Sequence, residues 1–245
     1  MEKVVIRDCT LYRGNCLEML ETIPPGSVDS CFADPPYGIG YIANHRKVLE
    51  KQEMLINDDR PCVEYVPPIV KTVKNGGAIY LCTRFDVAQP WVDALTGAGA
   101  RMKTPIFWIK DSVGLGDLSD RGNAVEIVLF AHVGGRHLLR GKRVTNAWNI
   151  PRPEPLLHPT PKPIELIRRC ILASSDPGDL VLDPFVGSGS TAIACAQTGR
   201  RCICCEISSI YFDLACARIE KAYRDIGNRL PGFEPVALAQ QQLFD

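Results

Sequence analysis

Residues 179–207, DLVLDPFVGSGSTAIACAQTGRRCICCEI, read as strand, glycine loop, helix and second strand, with an acid closing the second strand. The runs 179–183 and 202–206 are too short and apolar for helices, and the helix between them makes them parallel neighbours. Gly187 and Gly189 let backbone amides approach a ligand. Ser190 and Thr191 open a helix whose N-terminus favours an acceptor group. Glu206 then faces the ligand from the next strand, where an acid typically takes both hydroxyls of a ribose.

Two ligands compete for this loop. GSGSTA also fits the dinucleotide pattern G-x-G-x-x-A, with an acid about 20 residues on, which is the nicotinamide alternative. Asp183 weighs against it, because a carboxylate at the strand tip would sit where a pyrophosphate brings negative charge. The same carboxylate suits a cationic amine. A ligand with a ribose and an ammonium but no phosphate is implied, and S-adenosyl-L-methionine has that description. Taken alone, the glycine loop is also compatible with a tight structural turn.

Outward from this unit, short apolar runs alternate with helical patterns, as in a mostly parallel α/β sheet. Strands are expected at 10–14, 28–33, 77–82, 104–109, 126–132, 179–183 and 202–206, and helices at 15–22, 63–74, 86–97, 162–173, 190–198 and 208–224. In the last helix Ile210, Leu214, Ala217 and Ile219 approximate one apolar face. No helix separates 104–109 from 126–132, so these two are expected to pair antiparallel at one sheet edge. Residues 38–61, 111–125 and 134–161 resist regular structure, the last because NIPRPEPLLHPTPKP cannot be a central strand or a continuous helix. The tail 231–245 is expected to be loosely held.

At 245 residues and 46% hydrophobic, the chain can bury a full core, and we expect one domain over 1–245. No window reaches the roughly 18 unbroken apolar residues of a membrane span, and MEKVVIRD lacks the apolar core of a secretory signal. The expected location is the cytoplasm, with no membrane partner. Eleven cysteines, an odd and scattered set, read as reduced core thiols. Cys202, Cys204 and Cys205 alternate between strand faces and lack a C-x-x-C partner, so no metal site is expected. A net charge of zero excludes a protein coated in positive charge but not a local basic patch.

A second motif is CFADPPYGIGY, residues 31–41, at the end of an apolar run. A side-chain carboxylate and a proline-fixed carbonyl can hold both hydrogens of one exocyclic amine, and an aromatic can stack on the ring that carries it. Asp34, the Pro35 carbonyl and Tyr37 supply these. The alternative is a strand-ending turn in which Asp34 caps a backbone amide.

D-P-P-Y at 34–37 with D-P-F-V-G-S-G at 183–189 resembles the amino-methylating DNA methyltransferases of the adenine-N6 and cytosine-N4 type. The resemblance covers nearly the whole chain. HPTPKPIELIRR (158–169) is similar to the family's H-P-x-x-K-P cofactor segment, EISSIYFDLACARI (206–219) to its ribose-binding strand and helix, and GNCLEML (14–20) and NGGAIYLCTR (75–84) to further family strands. The order of motifs, catalytic before cofactor, is the circularly permuted one called beta. The resemblance implies a Rossmann-like methyltransferase fold and S-adenosyl-L-methionine as cofactor. It implies that Asp34, Pro35, Pro36 and Tyr37 hold the target base. To the cofactor it assigns Asn15, Cys16, Asp34, His158, Thr160, Lys162, Pro163, Asp183, Pro184, Phe185, Gly187, Ser188, Gly189, Ser190, Thr191, Glu206 and Ile207. Asn15 departs from the pattern, since many relatives have aspartate there.

The expected reaction is site-specific methylation of a base flipped out of double-stranded DNA, adenine rather than cytosine because the motif starts with aspartate. The remaining readings are cytosine-N4 transfer, an RNA or nucleotide methyltransferase on the same core, and a non-catalytic DNA-binding module. Loops 38–61 and 111–150 are the material left for DNA recognition. That is little, so the target is short, or contacts are few, or a second subunit of a homodimer contributes. GGRHLLRGKR (134–143) carries Arg136, Arg140, Lys142 and Arg143 with no acid among them and is the candidate phosphate track, a solvated charged loop being the alternative.

Overall fold

The computed structural model describes residues 1–38, 60–111, 122–153 and 161–228. His158 and Thr160, most of the loop 38–61 and the tail from 229 lie outside the described residues. Ten strands form one sheet in the order β1 (Glu2–Ile6), β2 (Cys9–Arg13), β10 (Arg201–Glu206), β9 (Leu180–Asp183), β3 (Val28–Ala33), β4 (Val73–Thr83), β7 (Val125–Val133), β6 (Ile106–Ile109) and β8 (Ala147–Asn149). The remaining strand, β5 (Ala100–Met102), also pairs with β7.

The centre β2-β10-β9-β3-β4 is parallel, as the strand–helix–strand pattern requires. Each of these strands is buried on both sides. One apolar layer gathers residues of α4 (Ile164–Ser174), α5 (Ser190–Thr198) and α6 (Ser209–Gly227). The other gathers α1 (Cys16–Thr22), α2 (Val66–Thr72) and α3 (Ala88–Gly97). Cys202 and Cys204 point into the first layer and Cys205 into the second, the alternation a strand imposes. The cysteines are free thiols, and among the described residues no three ligating groups converge as a metal site would need. No helix of the described residues is long and apolar enough to cross a membrane.

Four expectations are corrected. Glu2–Ile6 forms a strand the sequence reading missed, because its hairpin turns through Arg7 at φ 54° and not through an Asn-Gly pair. Strand β4 begins at Val73, directly on the end of α2, so the helix expected over 63–74 ends at Thr72. Residues 104–109 and 126–132 do pair antiparallel, but β8 covers β6 in parallel and takes the edge. Three residues just ahead of Pro151 carry no periodic signal, so β8 was not legible. Helix α6 buries Phe212, Ala215 and Ile219, while Ile210 is 64% exposed, which shifts the expected face.

Strand register sets where function can lie. The parallel strands β10, β9 and β3 end side by side at Glu206, Asp183 and Ala33. In open sheets of this kind ligands bind outside the carboxyl ends of the strands.

Candidate active site

The glycine loop between β9 and α5 is fixed from three sides. Asp183 Oδ1 accepts the Phe185 N–H at 2.9 Å, and Glu206 Oε2 accepts the Gly187 N–H at 3.0 Å. Arg218 of α6 donates to the Ser188 carbonyl, and to its hydroxyl at 2.7 Å. Gly189 sits at φ 90°, and a Cβ there would come within 3.2 Å of the Ala215 backbone, so helix α6 packs on the loop only because glycine stands at that position. Glu206 Oε1 also accepts the Ser208 N–H at 2.8 Å. Both its oxygens are thereby oriented at the strand tip, each with a lone pair left for a ligand hydroxyl.

Three carboxylates, Asp34, Asp183 and Glu206, thus face one strand-end region. Burial pushes Asp183 up to about 7, and the charges of Asp34 and Glu206 add to it against hydrogen bonds from Thr191 and Phe185. Burial raises Glu206 as well. Such a site repels a pyrophosphate and favours a ribose carrying a cation, which is the test S-adenosyl-L-methionine passes and a nicotinamide dinucleotide does not. Phe185 extends the site, its ring edge-to-face on Tyr65 at 5.0 Å.

Asp34 follows β3 directly. Its Oδ1 accepts the Tyr37 hydroxyl at 2.9 Å, and its Oδ2 accepts Lys162 Nζ at 2.7 Å. Lys162 also stands over the Tyr37 ring, 5.4 Å from its centroid. Burial raises Asp34, and the Lys162 ammonium opposes that shift. Lys162 itself is held well above the usual lysine range because the Asp34 and Glu126 carboxylates outweigh its burial. A hollow of about 350 Å³ opens beside Lys162 between Ile150–Pro151, the start of α4 and Arg218, and a smaller one of about 30 Å³ lies among Asp34, Lys162, Asp183 and Gly187. Both include Lys162 and Ser190 in their walls.

Two residues at the site were not read from the sequence. Glu126 of β7 forms ion pairs with Lys110 at 2.5 Å and Lys162 at 3.4 Å. The available signal was an acid within one apolar strand and a base directly after another, groups that are rarely buried unpaired.

The structure brings Asp34, Pro35, Pro36, Tyr37, Lys162, Pro163, Asp183, Pro184, Phe185, Gly187, Ser188, Gly189, Ser190, Thr191 and Glu206 to this edge of the sheet. Ile207 follows Glu206 and is 46% exposed. Asn15 caps α1, its Oδ1 accepting the Leu17 N–H at 3.0 Å, and Cys16 is buried beneath it. The basic run is not brought there. The pairing of Ala78 with His132 sends residues 134–143 to the start of β4, where His137 Nδ1 lies 2.7 Å from the Gly76 carbonyl. Seven residues of β4, at about 3.3 Å each, put Arg136 and its neighbours roughly 20 Å from the catalytic edge. Arg140 is engaged there by Asp176 at 2.8 Å, and Arg136, Lys142 and Arg143 are exposed.

Comparison with known proteins shows the family and the fold. A family model for N6/N4 DNA methylases matches residues 136–217. DNA adenine methyltransferase YhdJ of Escherichia coli K12 is 31% identical over 250 residues, covering 87% of this chain and 83% of that protein. The chain belongs to the N6/N4 DNA methyltransferase family. Among solved structures, the M1.HpyAVI complex with S-adenosylmethionine superposes with a TM-score of 0.67 at 24% identity, covering 86% of this chain and 99% of that one. The cytosine-N4-specific PvuII DNA methyltransferase superposes with a TM-score of 0.70 at 20% identity over 90% of this chain and 92% of its own. These two likenesses show the shared fold and leave the target base open.

Proposed function

We propose that this methyltransferase moves the methyl group of S-adenosyl-L-methionine to the N6 amine of an adenine flipped out of double-stranded DNA. The observation that carries the reading is the Asp34 carboxylate, fixed by Tyr37 and Lys162 at the edge where Asp183 and Glu206 stand.

Each residue then has a role. Glu206 takes the ribose hydroxyls, Asp183 faces the cationic end of the cofactor, and the amides of the glycine loop line its path. The bound cofactor supplies an electrophilic methyl on a positively charged sulfur. An adenine amine is a poor nucleophile because its lone pair is spread into the ring. Asp34 and the Pro35 carbonyl accept its two hydrogens and so localise that pair. Tyr37 presents one ring face to the base, the other being covered by Lys162. Stacking there offsets part of the few kcal/mol that base flipping costs. The chain needs no covalent intermediate, since positioning and electrostatics suffice for direct transfer.

Adenine is favoured by the aspartate that starts the D-P-P-Y motif and by the likeness to an enzyme named for adenine. Cytosine-N4 transfer is the second reading, supported by the fold shared with a cytosine-specific enzyme. We also propose action in the cytoplasm, and a homodimer as the source of any recognition surface that one chain lacks. The test is methyl transfer from labelled cofactor to duplex DNA, single strands and RNA, followed by separation of the nucleosides. Label in N6-methyladenine from duplex DNA is expected; label in N4-methylcytosine selects the second reading, and label in RNA alone overturns the DNA assignment.

A further inference from the structure

Asp34 does not stand on its own two donors. The Tyr37 hydroxyl and the Lys162 ammonium, which occupy its two oxygens, each also lie 3.4 Å from the same Oε2 of Glu126. Glu126 comes from the far side of β4, on a strand antiparallel to it, and its other oxygen is held by Lys110 at 2.5 Å. The four groups Asp34, Tyr37, Glu126 and Lys162 close a ring in which two carboxylates share two donors. Lys110 brings the charges to two positive and two negative. Lys110 and Glu126 have side chains only 9% and 17% exposed, so the pair is not a solvated surface bridge.

We infer that Glu126 is a positioning residue for the methyl transfer, holding Lys162 and Tyr37 in place on Asp34 while the target amine enters. The inference rests on the reading of Asp34 as the acceptor of that amine. Its physical basis is competition. Without Glu126 the Lys162 ammonium is left to Asp34 alone, drawing the carboxylate's charge away from the incoming N–H. With Glu126 present, Lys162 is shared between two acceptors, and Asp34 keeps acceptor strength for the substrate. Tyr37 behaves alike, since its single proton goes to the nearer Asp34 but retains a second acceptor if Asp34 turns. The groups facing Asp34 are Lys162 ahead of α4, Glu126 on β7, Tyr37 on its own loop, Cys82 on β4 and Asp183 on β9. Among them Glu126 adds negative charge that favours the protonated form of Asp34.

The test is the pH profile of kcat/KM for Glu126→Gln beside Asp34→Ala, with duplex DNA and saturating cofactor. Glu126→Gln is expected to lower kcat about 10- to 100-fold through misplacement of the acceptor. It should leave cofactor affinity unchanged and move the acid limb of the profile to lower pH, because a charge that raised Asp34 is gone. A merely structural role would lower thermal stability without moving the limb. Wild-type turnover and an unmoved limb in Glu126→Gln, with Asp34→Ala inactive, overturn the inference and leave the proposed function standing. Activity in Asp34→Ala overturns the reading beneath both. If Glu126→Gln does not fold, Glu126→Asp keeps the charge and withdraws its contacts. Reduced kcat at an unmoved limb is then expected, and full activity contradicts the inference.

Discussion

Lys162 Nζ lies 2.7 Å from Asp34 Oδ2, a contact spanning 128 positions of sequence. It joins the D-P-P-Y segment after β3 to the H-P-T-P-K-P segment before α4. Two stretches that share no local pattern therefore form one site, and the strand order brings the glycine loop of β9 beside them. Removing Lys162 leaves the Asp34 carboxylate in a place with little water without its cation, which costs more than the pair itself contributes, whereas removing Asp34 leaves Lys162 to Glu126 at 3.4 Å.

Glu206→Ala should weaken S-adenosyl-L-methionine binding by about 1.5 to 3 kcal/mol, the worth of hydrogen bonds to a charged group. The loss has a second component, because the Gly187 and Ser208 amides lose their acceptor. Glu206→Gln, which keeps one carbonyl oxygen, should fall between. Titration calorimetry measures both, and unchanged affinity in the alanine variant would mean that Glu206 holds only the loop.

Asp183 predicts a pH dependence of cofactor binding. Its value of about 7 in the protein stands above the roughly 3.9 of an exposed aspartate. Between those values the folded, cofactor-free protein holds more protons than the unfolded chain, so its stability should fall as pH rises through that window. A cationic ligand requires the ionised form. Binding should therefore release a proton below pH 7, with affinity dropping up to about tenfold per pH unit. Calorimetry in buffers of different ionisation enthalpy reports the proton; a flat affinity from about pH 5.5 to about pH 8 would exclude this role.

Replacing Arg140 and Arg143 by alanine should leave the salt dependence of DNA binding unchanged, since their segment lies at the opposite end of the sheet. Breaking the half-exposed Arg140–Asp176 pair should cost at most about 1 kcal/mol of stability. The measurement is the slope of log affinity against log salt. A slope flattened by about 0.9 per lost contact would return residues 134–143 to the DNA track.

What the sequence made legible was what local chemistry writes into short stretches. Asp183, Gly187, Gly189 and Glu206 mark a strand–loop–helix–strand unit by their spacing, and Asp34 and Tyr37 mark the turn that ends β3 by their company of prolines. What stayed hidden was register. Whether 134–143 leaves β7 toward the catalytic edge or away from it depends on the direction of β7, and an antiparallel strand sends it away. The pairing of Glu126 with Lys110 and Lys162 depends on β4, β6 and β7 lying side by side, which no local pattern states. Strand β8 was lost for a third reason: Ala147–Asn149 is held by its partner β6 and not by any propensity of its own.

The most direct measurement of the central claim, that Asp34 is the acceptor of the target amine, pairs turnover with cofactor affinity in Asp34→Ala. Glu126 remains to hold Lys162 in that variant, so the glycine loop and its ligand should be undisturbed. The account predicts S-adenosyl-L-methionine binding within a few-fold of the parent, since Asp183 and Glu206 remain, and methyl transfer to duplex DNA reduced about 1,000-fold or more, the scale of losing a group that acts on the reacting atom. Methyl transfer within a few-fold of the parent, at unchanged cofactor affinity, would contradict it.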